Sequence, residues 1–155
     1  MSNYVPTYWA KIFIGARPSY DQNVSDDHLD IIIDEIKEEC QIYCDRVGLG
    51  LTVTPLDFIY TGGREKGVEI GLINYPRFPS TKAKIQMTAL DIARNLRETF
   101  QQERVSVMFP DFTFMLDDGH DGGNLSGDSF EEVEATKEYE KMTEILDQIP
   151  EDTGD

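Results

Sequence analysis

The sequence predicts an α+β fold, a ferredoxin-like βαββαβ sandwich in which a four-stranded antiparallel sheet carries both helices on one face. Three observations predict it. Extended segments with β-branched and alternating apolar residues and segments with three-four apolar spacing follow one another as strand, helix, strand, strand, helix, strand. Pro55 and Pro110 fall on the second and fourth strands, the edges of that topology, where a missing backbone donor is tolerated. The segment 1–116 has the length of one domain and enough apolar residues to bury a core without metals or disulfides.

Each element has a local reason. Trp9 to Ala16 alternates, with Ala10, Ile12 and Ile14 on one face and Trp9, Lys11 and Phe13 on the other. The turn residues of 17–23 make a loop. Ser25 then caps a helix whose first turn holds Asp26 and Asp27, favourable against the positive end of the helix dipole. Leu29, Ile32, Ile33, Ile36, Cys40, Tyr43 and Val47 form its apolar stripe, and Gly48 is its stop. Leu49 to Tyr60 is extended, the glycine-rich run Thr61 to Gly67 is read as a turn, and Val68 to Tyr75 is the returning strand.

A second helix is expected from about Thr81 to Gln101, burying Ile85, Ala89, Ile92, Ala93, Leu96 and Phe100. Arg104 to Phe109 is the last strand, interrupted at Pro110 by an edge or bulge before Phe112 to Leu116 continues it. Beyond it, 117–128 reads as a flexible Asp/Gly linker and 129–155 as an acidic amphipathic helix with a disordered end. Ser129 and Glu132 would form a capping box at the start of that helix.

Charge is distributed unevenly. The formal net charge is −16, and residues 117–155 contain 14 of the 30 acidic residues but only 2 of the 14 basic ones. A nearly balanced body thus joins a strongly acidic tail, which points to a basic protein partner and argues against direct nucleic-acid binding. Asp30, Asp34 and Glu38 on the first helix, with Glu131, Glu134 and Glu138 on the tail, are the candidate interaction residues. No stretch approaches the ~18 apolar residues of a membrane span, and no signal peptide is evident, so a cytoplasmic protein is expected. Cys40 and Cys44, one helical turn apart, read as reduced thiols.

Arg77, Ser80, Thr81, Lys82 and Lys84 gather basic side chains and hydroxyls around the start of the second helix, and Arg64 adds charge from the hairpin turn. Cations there oppose the helix dipole, so their use would be to recruit an anion, such as a phosphate-bearing small ligand. Catalytic signals are few. His28 and His120 lack a nucleophile partner, phosphate-loop and dinucleotide motifs are missing, and the 117–124 Asp/Gly run breaks the calcium-loop alternation. Glu65, Glu69, Asp57 and Asp111 are carboxylates whose pairing cannot be read from sequence, and Ser2 occupies the place of the tautomerase proline.

No metal site and no cofactor are expected. The functional expectation is a non-enzymatic acidic inhibitor or adaptor, of the kind a virus or mobile element uses against a host defence or nucleic-acid-handling protein. The alternative is a protein that binds or sequesters a nucleotide-like or phosphorylated molecule at the anion site. The sheet face opposite the helices is expected to be covered, by the tail helix or by a second copy in a homo-oligomer.

Overall fold

The computed structural model describes residues 3–18, 23–117 and 144–145. The element order is β1 (Trp9–Gly15), α1 (Asp26–Val47), β2 (Thr52–Tyr60), β3 (Gly63–Ile73), α2 (Lys82–Thr99), β4 (Val105–Met108) and β5 (Thr113–Leu116). They form one antiparallel sheet in the order β2-β3-β1-β4-β5. The first four strands stand in the ferredoxin-like order, so the α+β class holds, and β5 extends the sheet beyond β4.

The fifth strand corrects the reading of Pro110. This proline lies in the turn between β4 and β5, where the Phe109 N–H donates to the Phe112 carbonyl at 2.8 Å. Its fixed φ and missing donor suit a chain reversal, so β4 becomes internal and β5 the edge. Pro55 does lie on an edge strand, β2, opposite Val68.

The β2–β3 hairpin needs a second correction. Its turn is Thr61-Gly62 alone, with Gly62 at a φ of 85°, a conformation open to glycine without a Cβ penalty. Gly63 to Gly67 therefore belong to β3. The glycines are there for space: a Cβ on Gly67 would collide with the Phe58 ring from β2. Arg64, Glu65 and Lys66 are strand residues, alternating between the two sheet faces.

The helix caps follow the sequence closely. Ser25 Oγ accepts from the His28 N–H at 3.2 Å, Thr81 Oγ1 accepts from the Lys84 N–H at 3.1 Å, and Gly48 closes α1 in the left-handed region. Helical stripes and strand alternation then meet in a single core. Ala10, Ile12, Ile14, Val68, Ile70, Leu72, Val105 and Val107 face Leu29, Ile32, Ile33, Ile36, Ile85, Ala89, Ile92 and Leu96, all buried. Full burial of each large aliphatic stabilises by about 1.5–3 kcal/mol before chain entropy is counted. Val47, expected in the stripe, is 49% exposed, since it ends the helix beside an open cavity.

Cys40 is buried and Cys44 half-buried, both as free thiols. Burial, with Cys44 and Glu39 adding to it, pushes the Cys40 thiol up to about 12. Among the described residues no helix is long and apolar enough to cross a membrane. Of the expected C-terminal helix, Glu144 and Ile145 are described; they are helical, and Ile145 packs against the core. The rest of that helix, its capping box, the 118–128 linker and Glu131, Glu134 and Glu138 lie outside the described residues.

Candidate functional site

The helices cover one face of the sheet. The other bears the alternate residues of β1 and β3, including Phe13, Glu65 and Glu69, half-buried. Glu65 is the informative one. It lines a depression of about 150 Å³ with Phe13, Gly15, Phe58, Gln102, Glu103, Arg104 and Ser106. Burial pushes its carboxyl above the ordinary range, and the nearby positive charge of Arg17 only partly offsets this. A desolvated carboxyl with a charge partner in a concavity is a candidate for function.

Two backbone features shape this depression. Gly15, buried at the end of β1, has no side chain to displace the two groups packed over it: a Cβ there would stand 3.1 Å from Glu65 Oε1 and 3.2 Å from Gln102 Oε1. Gln102 arrives through a Schellman turn closing α2. The Gln102 N–H donates to the Arg97 carbonyl at 3.0 Å, while Gln101 adopts a φ of 53° in the position that usually holds glycine. The Gln102 amide nitrogen donates to the carbonyls of Arg17 at 2.9 Å and Phe100 at 3.3 Å. Its oxygen is thereby turned toward Gly15.

The expected anion cluster is only partly assembled. Ser80 and Lys84 line a larger cavity of about 630 Å³, between the C-terminal end of α1, the end of β3 and the start of α2, with Val47, Ile73 and Phe78 exposed on its wall. Arg77 sits over the Phe78 ring at 5.4 Å. Thr81 spends its hydroxyl on the helix cap, and Lys82 is paired with Asp111 at 2.6 Å. Arg64 is not with them: it lies at the opposite end of β3, roughly 30 Å along the strand from Ile73.

The remaining candidates are likewise dispersed. Asp30 is bound by Lys66 at 3.0 Å, Asp34 lies 3.8 Å from Lys37, and Glu38 is exposed on α1. Asp57 is opposite Lys66, Glu69 pairs with Lys11 at 3.8 Å, and Asp111 is engaged in the β4–β5 turn, so these carboxylates form no pair with Glu65. Phe13 joins the Glu65 depression, and Trp9 meets the Lys11 ammonium at 5.5 Å.

No protein-family profile and no curated protein matches the sequence. Two solved structures are similar in fold. A phage SAM lyase in complex with S-methyl-5'-thioadenosine aligns with a TM-score of 0.53 at 18% identity, covering 76% of this chain and 94% of the lyase. A phage SAM lyase in the apo state aligns with a TM-score of 0.51 at 19% identity, over 71% and 88% of the two chains. At such identity the likeness establishes a shared fold.

The likeness also corrects the functional expectation. A non-enzymatic charge mimic is replaced as the leading reading, because the solved proteins that this body matches over most of their length are enzymes, one of them holding a small nucleoside thioether. The viral setting expected from the sequence agrees with the phage origin of those two proteins.

Proposed function

We propose that this protein is a lyase acting on S-adenosylmethionine, with the Glu65 depression as part of its site. The observation that carries this reading is the alignment with 94% of a lyase chain that holds S-methyl-5'-thioadenosine. That thioether is what remains of the substrate once the carbon–sulfur bond to its aminobutyryl chain is broken.

The chemistry asks little of the protein. A lyase adds no water, so the carbon leaving sulfur must gain its new bond from within the substrate. The substrate carboxylate closing on Cγ forms a five-membered lactone; the C–O bond forms, the C–S bond breaks, and its electron pair neutralises the sulfonium. No proton moves in that step. The protein's contribution is then to hold the chain folded for attack and to exclude water, effects that reach several kcal/mol in well-oriented reactions.

Glu65 belongs with positioning in this scheme. A carboxylate beside the sulfonium would favour the charged ground state over a transition state in which that charge is vanishing. Its place is against a part of the substrate that keeps its donors throughout. The depression, at about 150 Å³, is smaller than the usual 300–1,000 Å³ of a ligand pocket, so it seats one portion of the molecule.

The test is incubation of the full chain with S-adenosylmethionine in ¹⁸O-labelled water. Release of methylthioadenosine and of lactone without the label supports the proposal. An absence of methylthioadenosine from the native protein overturns it.

A further inference from the structure

We infer that Gly15 and Gln102 form, with Glu65, an acceptor cradle that selects a substrate group carrying two hydrogen-bond donors. The inference rests on the lyase reading above and adds to it the subsite and the chemistry of the group that enters.

The geometry is specific. Glu65 Oε1 and Gln102 Oε1 both approach the point where a Gly15 Cβ would stand, at 3.1 and 3.2 Å, so they stand close enough to each other for one group to meet both. The Gln102 amide is not free to turn. Its nitrogen donates to two backbone carbonyls, and a flipped amide would set oxygen against oxygen at both. The cradle therefore presents two acceptors, and an ionised Glu65 makes its hydrogen bond charge-assisted.

The backbone around it is arranged for this placement. Gln101 holds the left-handed region at a φ of 53°, a strained choice for a residue with a Cβ, and it directly precedes Gln102. Gly15 ends the central strand, and its missing Cβ leaves room for the Glu65 and Gln102 oxygens to stand over the backbone. Glycine there lets the two acceptor side chains approach the backbone closely and so hold their oxygens near each other.

In the proposed substrate two groups carry such a donor pair: the ribose 2',3'-diol and the α-ammonium. The same hydrogen-bonding chemistry serves for either, and the ligands themselves separate them. Methylthioadenosine has the diol and lacks the ammonium.

The experiment is calorimetric titration of the native chain, Gly15→Ala and Gln102→Leu with three ligands: methylthioadenosine, its 2',3'-dideoxy analogue and S-adenosylhomocysteine, which keeps diol and ammonium but has no sulfonium to cleave. If the diol enters the cradle, removing it weakens native binding about 10-fold, and that penalty shrinks below about 3-fold in both variants. If the ammonium enters, methylthioadenosine binds all three proteins alike and the variants lose affinity for S-adenosylhomocysteine alone, again about 10-fold. A generally damaged site would weaken every ligand equally and leave the diol penalty intact, which overturns the inference. Native binding with no selective change in either variant overturns it too. Failure of the native protein to bind any of the three removes the lyase reading and this inference with it.

Discussion

The phenol of Tyr43 on α1 donates to Asp91 Oδ2 on α2 at 2.8 Å, and Asp91 Oδ1 accepts from Arg94 at 3.1 Å. Tyr43 is buried, and the Arg46 guanidinium lies 5.2 Å over its ring. This bond ties α1 to α2. Tyr43→Phe keeps the ring and removes the donor, leaving a half-buried carboxylate with one fewer partner. The expected loss is about 1–2 kcal/mol of unfolding free energy, read by urea denaturation with an unchanged slope.

Asp111 gives a pH-dependent prediction. Burial pushes its carboxyl up, but the Lys82 ammonium, its own backbone amide and the Tyr8 phenol outweigh this and hold it below the ordinary range. Tyr8 in turn accepts from Gln86, which is 3% exposed, so the β4–β5 turn is tied to α2 and to the N-terminal segment. With a folded pKa below the unfolded one, the stabilisation is present above the ordinary aspartate value of 3.8 and fades as pH falls through the lower folded value. Asp111→Asn should therefore lower the melting temperature at pH 7 and show a shallower acid decline. Parallel native and variant curves from pH 6 to 2 would contradict this.

Gln101 offers a stabilising change. Its φ of 53° costs an L residue roughly 1–2 kcal/mol relative to a helical conformation, a cost glycine does not bear. Gln101→Gly should raise stability by about 1 kcal/mol, the gain being reduced by the looser unfolded chain. A lower melting temperature would mean that the Gln101 side chain contributes more than its backbone costs.

The sheet and helices were legible because their signals are local. The Leu29 to Tyr43 stripe, the Ser25 and Thr81 caps and the Gly48 stop each follow from residue type and spacing. What was missed depends on contacts between distant residues. Gly62, Gly63 and Gly67 look alike in sequence, yet only Gly62 is a turn residue; Gly67 makes room for Phe58 across the strand pair. Reading the whole run as a turn hid the alternation that sends Glu65 to the open face. Pro110 marked a reversal that looked like an edge. Gln102 carried no readable signal, since a Schellman turn with glutamine in the glycine position cannot be told from a continuing helix. The anion cluster, in contrast, was visible in sequence, but Thr81 and Lys82 are committed to the cap and to Asp111, and Arg64 stands at the far end of β3.

Glu65→Gln separates function from stability. Burial raises the Glu65 pKa in the folded protein, so the folded state holds its proton more tightly than the unfolded chain does. The associated stability is fully present below the ordinary value of 4.5 and is lost as pH rises through the raised folded value. Glutamine is nearly isosteric and never ionises. The variant should melt with the native protein at pH 4 or below and increasingly above it as pH rises toward 7. Activity should move the other way, falling about 10²-fold if the carboxylate positions the substrate. Differential scanning calorimetry across pH, paired with methylthioadenosine release at pH 7, reads both. A variant that is both less stable and inactive at pH 7 would make Glu65 a structural residue. One that is more stable and fully active would place the chemistry away from this depression.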